Sequence, residues 1–219
     1  MGYGIKLLVS GEYACFTRPE MKVERVSYDV MTPSAARGIL TSISWKPAID
    51  WRVDRIIVQN QIKFTSIRRN EINDKVSESK VLSAMEGKEE DLHQYAASER
   101  QQRATLMLRD VAYVIEAHFI LTNEAGKDDT PEKHYNIFLR RARNGSYHHT
   151  PCLGLRELPA KFRLLDEGGF PLNSYYHDQD EVDLGYMLHS IDYDNNMQPL
   201  FFRAYMRKGI IHIPVEATL

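Results

Sequence analysis

Two basic residues, Lys133 and His134, follow a pattern that starts a helix. Thr130 followed by Pro131 is typical of a helix N-terminus, because the threonine hydroxyl accepts from a first-turn N–H and proline suits the first helical position. Lys133 and His134 then fall in the first turn, where the helix dipole disfavours cations by roughly 0.3–1 kcal/mol. A phosphate bound to the free backbone N–H groups would offset this cost, so the pair indicates a phosphate site.

A lysine beside a histidine also suits RNA cleavage without a metal ion. That reaction needs a base for the 2′-hydroxyl, an acid for the leaving 5′-oxygen and a cation for the crowded phosphorane. Histidine titrates near neutral pH and can move the protons, and lysine can neutralise the phosphate. On spacing alone, two ordinary exposed residues are the commoner explanation of so short a motif.

The sequence predicts neither a metal ion nor a cofactor. Cys15 and Cys152 belong to no CxxC or Cys/His pattern of zinc spacing, and the chain has no DxD or HD cluster and no P-loop. His148 and His149 are adjacent, so their side chains point apart, and no third ligand is near them in the sequence.

Composition is that of a folded globular protein. The 219 residues are 43% hydrophobic and 26% charged, with a formal net charge of -2, which argues mildly against a dedicated nucleic-acid binder. The charges are unevenly spread, however. Residues 71–92 carry seven Asp and Glu against three Lys, whereas residues 131–149 carry four Lys and Arg against one Glu. Separate acidic and basic surfaces are compatible with a site for a polyanion.

We expect a cytoplasmic protein with free thiols and no membrane segment. The first residues lead into a strand-like stretch rather than a signal peptide, and no apolar run approaches the ~20 residues that span a bilayer.

Hydrophobic periodicity predicts an α+β fold. Strands are predicted at residues 3–10, twice within 49–68, at 109–122 and at 152–165, and helices at 33–46 and 131–144. This order contains two split β-α-β units, which are typical of a ferredoxin-like or RRM-type sheet with both helices on one face.

Two domains are expected. Residues 1–165 would form the ferredoxin-like domain, interrupted by a mobile, charged insertion at 70–103 with a short helix near 76–85. Residues 166–219 would form a small C-terminal antiparallel β-sheet extension, because turn signals at 194–196 and 207–209 separate three strand-like runs.

Several motifs resemble one protein family along nearly the whole chain. They are Gly11–Thr17, Ser27–Leu40, the Ile43–Pro47 segment with its Trp-Lys-Pro, Leu108–Tyr113, Lys133–Tyr135, the region of Gly154–Glu157, and Leu184–Leu188. In this order they resemble the fifth family of CRISPR-associated (Cas) proteins, of the Dvulg or I-C type within the RAMP superfamily.

The resemblance implies an endoribonuclease that cuts CRISPR precursor RNA at the 3′ base of the repeat hairpin. Its products would be a 2′,3′-cyclic phosphate and a 5′-hydroxyl, with no metal required. The protein would then stay on the 5′ handle with the other subunits of the type I-C interference complex. Catalysis in the family is attributed to a Lys-His pair, matching Lys133 and His134, together with a tyrosine where this chain has Ser44. Ser44 is therefore the third catalytic candidate, and His134, Tyr135 and Tyr13 are alternatives for the general base.

Substrate-binding candidates are basic or aromatic residues in or beside these motifs: Arg37, Lys46, Arg103, Arg109, Tyr135 and Arg141. Trp45 could offer a stacking face for a base, although the usual burial of tryptophan favours a core position with Lys46 exposed.

Two other functions stay open. One is a structural RNA-binding subunit of the same complex that does not cut RNA, which the serine at position 44 makes plausible. The other is a RAMP protein that binds or nicks double-stranded DNA.

Overall fold

The computed structural model describes residues 3–21, 23–72, 75–165 and 174–217. Over these residues the chain is an α+β protein with three helices and a mostly antiparallel sheet of nine strands. The helices are α1 (Pro33–Ile43), α2 (Glu78–Met85) and α3 (Pro131–Arg143). The strands are β1 (Ile5–Ala14), β2 (Arg25–Val26), β3 (Ile49–Val58), β4 (Phe64–Ile72), β5 (Arg100–Leu121), β6 (Lys161–Leu164), β7 (Val182–Asp192), β8 (Gln198–Arg207) and β9 (Ile210–His212).

The sheet runs in the order β6-β1-β5-β3-β9-β8-β7, with β2 and β4 joined to β5. Each neighbouring pair along this path is antiparallel. Because β1 and β3 both run antiparallel to β5, they are parallel to each other, and α1 connects them along the chain. By the same argument β5 and β6 are parallel across β1, and α3 connects those two strands. In each case a helix thus lies along the chain between two parallel strands that have one antiparallel strand between them.

Both connecting helices bury an apolar stripe. Ala36, Ile39, Leu40 and Ile43 of α1 are at most 1% exposed, and α1 contacts β3, β7 and α3. In α3 the Phe138 ring is fully buried and lies 4.8 Å from the ring of Trp51. Each such side chain contributes about 1.5–3 kcal/mol when it leaves water, so these stripes fix both helices on the sheet.

The chain divides into two compact units, Met1–Thr65 with Leu106–Leu219, and Ser66–Thr105. The second unit resembles the predicted insertion at 70–103 in extent and contains α2, where a short helix is expected. Its mobility stays a prediction. Within the first unit, β9 pairs with β3 and joins the C-terminal strands to the main sheet. The domain boundary after residue 165 also stays a prediction.

Two predicted elements differ from the structure for local reasons. Helix α1 ends at Ile43 rather than near Trp45-Lys46, because Ser44 is extended, with φ -147° and ψ 110°. The strand expected over 152–165 is confined to β6, and turns with a Cys152–Pro159 bridge precede it. Gly154 has φ +90°, and a Cβ there would lie 2.0 Å from the Cys15 carbonyl oxygen, so this turn requires glycine.

Strand β5 begins at Arg100, nine residues before the predicted start at Arg109. Its early residues are polar and pair with β4, whose side chains alternate between exposed and half-buried. The two-stranded ribbon of β4 and early β5 has no apolar face. Its residues therefore lack the apolar-polar alternation from which strands are predicted.

None of the helices in the described ranges is long and apolar enough to cross a bilayer.

Candidate active site at the start of helix α3

The start of α3 has the predicted capped geometry. The Thr130 hydroxyl accepts from the backbone N–H of Lys133 at 3.3 Å, and Pro131 occupies the first turn. Lys133 and His134 are therefore first-turn residues. Their backbone N–H groups donate to the Thr130 hydroxyl and to the Thr130 carbonyl, so an anion at this helix end would meet the Lys133 ammonium rather than these N–H groups.

Asp129, the residue before the cap, holds both basic side chains. His134 Nε2 lies 2.9 Å from Asp129 Oδ1, and Lys133 Nζ lies 3.4 Å from the same oxygen. The Lys133 ammonium also donates to the Asp128 carbonyl at 3.0 Å. One carboxylate thus fixes the spacing between a lysine and a histidine.

The same carboxylate is fixed by its own loop. The backbone N–H of Gly126 donates to Asp129 Oδ2 at 3.0 Å, and this bond is the main cause of a lowered Asp129 pKa. The bonds from His134 and Lys133 lower that pKa further. Asp129 is consequently a stable anion at neutral pH.

The two basic side chains differ sharply in exposure. The Lys133 side chain is 47% exposed, whereas the His134 side chain is only 2% exposed. The His134 imidazole packs edge-on to the Phe119 ring at a centroid distance of 6.4 Å. A phosphate arriving from solvent would meet Lys133 first.

A tyrosine from the N-terminal segment borders the site. The Tyr3 hydroxyl donates to the Glu132 carboxylate, and the Tyr3 ring lies 5.0 Å from the Tyr135 ring. The bond raises the pKa of Tyr3 and lowers the pKa of Glu132. Glu132 is thereby kept ionised in the same helical turn as Lys133.

Ser44 is 2% exposed, and it is connected to His134 through two aromatic rings. Its carbonyl accepts from the Trp51 indole N–H at 3.0 Å, and the Trp51 ring is 5.4 Å from the Phe119 ring. Phe119 in turn contacts His134. The end of α1 and the start of α3 are therefore joined through two buried aromatic rings.

Comparison with known proteins identifies the family. The family model Cas5d, described as a CRISPR-associated protein, matches residues 4–214. The chain belongs to the Cas5d family. The resemblance inferred from the motifs is confirmed.

Two similar proteins of this family carry the name CRISPR pre-crRNA endoribonuclease Cas5d. The one from Mannheimia succiniciproducens is 52% identical over 98% of this chain and 96% of its own length. The one from Thermus thermophilus is 38% identical over 97% of this chain and 92% of its own length.

Solved structures show the same fold. A crystal structure of a CRISPR-associated protein has a TM-score of 0.73 and 25% identity, and covers 99% of this chain and 95% of the other. The Streptococcus mutans protein SMU1763c, described as functionally uncharacterized, has a TM-score of 0.71 at the same identity and coverage.

The predicted binding residues of this Cas5d-family chain fall in several places. Arg141 donates to the Ile43 carbonyl at 3.0 Å, so it lies at the end of α1. Arg37 pairs with Asp50. Arg109 is exposed on β5, and Arg103, in the unit Ser66–Thr105, lies 3.4 Å from Glu71. Lys133, His134 and Tyr135 thus lie at the start of α3, and Arg141 lies near the end of the same helix.

The favoured expectation for Trp45 is wrong. Trp45 is 55% exposed, and Trp51 is the tryptophan of the core, 2% exposed. Lys46 is exposed as expected. Because α1 ends at Ile43, the next residues leave the helix and turn Trp45 away from the core.

Sequence reasoning missed Asp129, Glu132 and Tyr3 as members of the site. A usable signal was the position of Asp129, since a carboxylate one residue before a capping threonine can reach the first turn. No group of three or more His, Cys, Asp or Glu side chains suited to a metal ion occurs within the described ranges.

Proposed function

We propose that this chain is an endoribonuclease that cuts CRISPR precursor RNA within the repeat. The names of its relatives at 52% and 38% identity support this activity. The products would carry a 2′,3′-cyclic phosphate and a 5′-hydroxyl. The chain would then stay on the 5′ handle in the type I-C interference complex, in the cytoplasm.

The observation that carries the proposal is the carboxylate shared by Lys133 and His134. An exposed ammonium at a helix N-terminus suits the phosphate, and an imidazole held 2.9 Å from Asp129 suits proton transfer. Asp129 gives the histidine a fixed tautomer and orientation, as carboxylates do in other His-Asp pairs.

In the proposed reaction His134 acts as the base, and Lys133 acts as the stabilising cation and the acid. His134 accepts the proton of the 2′-hydroxyl as its oxygen attacks phosphorus. The bond from phosphorus to the 5′-oxygen then breaks, and Lys133 stabilises the phosphorane and donates to the leaving oxygen. The two proton transfers complete this step without a metal ion.

His134 is buried before RNA binds, so the mechanism includes a movement. The loop 122–129 ends in Asp129 and lies beside the imidazole. The loop is held by several bonds, among them Thr122 Oγ1 to the Pro47 carbonyl at 2.6 Å, the Thr122 N–H to the Ala48 carbonyl at 3.0 Å and the Gly126 N–H to Asp129 Oδ2 at 3.0 Å. We propose that RNA displaces residues 123–125 of this loop and uncovers His134, while Asp129 keeps its contact with the imidazole.

Ser44 acts on the site indirectly in this proposal. Its side chain is buried and its carbonyl holds Trp51, which packs against Phe119 beside His134. Ser44 would therefore set the position of the imidazole rather than take the proton that the family's tyrosine is thought to take.

A ferredoxin-like RAMP core is part of the same proposal. The sheet order β6-β1-β5-β3 supports this core. So do the positions of the helices along the chain, since α1 lies between β1 and β3, and α3 lies between β5 and β6. Residues 166–219 would be its C-terminal extension.

A non-cutting RNA-binding subunit is the second candidate function. The burial of His134 and the serine at position 44 favour it, because the imidazole is covered in the RNA-free chain and Ser44 is buried and less acidic than the family's tyrosine. Binding of double-stranded DNA is a further candidate, favoured only by the basic segments of the chain.

One assay with two substrates separates these functions. The purified chain is incubated in EDTA with its repeat RNA, and with the same RNA carrying 2′-fluoro at every nucleotide. We expect cyclic-phosphate products from the first RNA and none from the second. Tight binding without cleavage would identify the structural subunit instead, and cleavage of the 2′-fluoro RNA would exclude the 2′-hydroxyl mechanism.

A further inference from the structure

Positive charge is concentrated on two segments that the fold brings together. Residues 30–49 and 133–156 carry seven Lys and Arg and no Asp or Glu, although the whole chain has a net charge of -2. Helix α1 lies in the first segment, α3 lies in the second from Lys133 onward, and the two helices contact each other. Glu132, in the first turn of α3, is just outside the second segment. This uneven distribution is the electrostatic pattern of a surface for a polyanion.

The end of α1 is built from both segments. The Ser42 carbonyl accepts from the backbone N–H of His148 at 2.8 Å and of His149 at 3.2 Å, and Arg141 donates to the Ile43 carbonyl. These bonds cap the helix and hold the loop 146–149 against it. The His148 and His149 rings do not point apart as expected but lie 4.4 Å from each other, and both residues are exposed.

Trp45 follows this helix end and is 55% exposed. On its other side, the Trp-Lys-Pro turn contacts the loop of the candidate active site, since the Pro47 carbonyl and the Ala48 carbonyl accept from Thr122 at 2.6 and 3.0 Å. Trp45 therefore lies between the loop that carries Asp129 and the loop that carries His148. Exposure of the apolar indole ring to water is unfavourable in free energy, and a base stacked on the ring would cover this surface.

We infer that Trp45 is a stacking platform for an unpaired base of the bound RNA, with Lys46 and the loop 146–149 on the adjacent backbone. The inference rests on the proposed function, because RNA bound at the candidate active site would lie near the Trp45-Lys46-Pro47 turn. An aromatic face accepts any base, so the platform would hold a single-stranded nucleotide without reading its identity.

Intrinsic fluorescence tests the platform directly, because Trp45 and Trp51 are the two tryptophans of the chain and only Trp45 is exposed. The probe is the uncleavable 2′-fluoro repeat RNA. Iodide should quench the fluorescence of the exposed Trp45, and we expect the RNA to quench the same fluorescence. In Trp45→Phe this iodide-accessible fluorescence should be absent. Unchanged Trp45 emission at saturating RNA would overturn the inference.

Affinity provides the second readout. Trp45→Ala should weaken binding of the 2′-fluoro RNA by about 5- to 100-fold, the usual range for one stacked base, and Trp45→Phe should retain most of the affinity. Tyr193→Ala, which removes another exposed aromatic side chain, is the matched control and should bind like the wild type. Equal affinity of Trp45→Ala and wild type would also overturn the inference.

These outcomes are separate from those of the cleavage assay. RNA that quenches Trp45 but is never cut would support the platform and contradict the nuclease. RNA that is cut normally by Trp45→Ala with unchanged affinity would support the nuclease and contradict the platform.

Discussion

Asp129 is the residue on which the arrangement of the candidate site depends. It accepts from the Lys133 ammonium and lies within hydrogen-bond distance of His134, and the Gly126 N–H holds it in place. It touches no substrate atom in the proposed reaction, so its role is to position the two basic groups.

Replacing Asp129 with asparagine should slow cleavage without weakening RNA binding. The side chain keeps its size but loses the charge that orients His134, and loss of such an outer partner typically costs roughly 10- to 100-fold. Single-turnover rates and filter-binding affinities measure the two effects. Asp128→Asn is the matched control, because Asp128 meets Lys133 only through its backbone carbonyl. An unchanged rate for Asp129→Asn would remove Asp129 from the mechanism.

Sequence reasoning placed Lys133 and His134 in the first turn of α3 because the cap that fixes this turn is a local signal. It did not predict that His134 is buried. His134, Phe138 and Ala142 recur every four residues and form the buried stripe of α3, so helical spacing offered a signal. The polar character of histidine hid that signal, and the Asp129 contact depends on a loop conformation that residue types alone do not specify.

At the scale of elements, the candidate site depends on where α3 begins. The Thr130 hydroxyl fixes that start by accepting from Lys133 N. A frayed first turn would release the two basic residues together.

Thr130→Ala should therefore lower both stability and activity. Loss of an N-cap costs about 0.5–2 kcal/mol of unfolding free energy, whereas Thr130→Ser keeps the hydroxyl and most of the stability. Urea unfolding of the three proteins measures the difference, and cleavage rates should fall in the same order. A Thr130→Ala protein as stable and as active as wild type would show that the cap does not hold the site.

The loop 122–129 makes a prediction of its own. In the RNA-free chain His134 should react slowly with diethylpyrocarbonate, because its side chain is 2% exposed, while His93, at 80%, should react quickly. Addition of the 2′-fluoro RNA should speed the reaction of His134 if the loop moves as proposed. Mass spectrometry of the adducts measures each site, and a His134 that reacts as fast as His93 without RNA would contradict the burial.

The elements differ in how well their sequence predicts them. Helices α1 and α3 begin where threonine-proline pairs predict, because caps are local signals. Strand β6 is shorter than its segment predicts, and the polar part of β5 has no apolar alternation to reveal it. Both depend on pairing with distant strands, which a local pattern does not contain.

At the scale of the whole molecule, the C-terminal strands belong to the main sheet. Ile211 is fully buried and pairs with Ile56 of β3 on one side and Met206 of β8 on the other. The sequence predicts three C-terminal strands, but no turn or hydrophobic pattern indicates that β9 pairs with β3.

Ile211→Ala should destabilise the sheet as one cooperative unit. Deletion of such buried atoms lowers the free energy of unfolding by about 2–5 kcal/mol. Ile191→Ala is the milder control, because Ile191 is 37% exposed. Thermal unfolding followed by circular dichroism and by Trp51 fluorescence should shift equally. A shift in one signal alone would show that residues 166–219 unfold as a separate domain.

Lys133 and His134 are proposed to cut RNA without a metal ion. The most direct measurement is the single-turnover rate on repeat RNA in EDTA for wild type, His134→Ala, Lys133→Ala and the exposed control His93→Ala. We predict a rate loss of about 10²- to 10⁴-fold for His134→Ala, a clear loss for Lys133→Ala, and the wild-type rate for His93→Ala. Cleavage by His134→Ala at the wild-type rate would contradict the account.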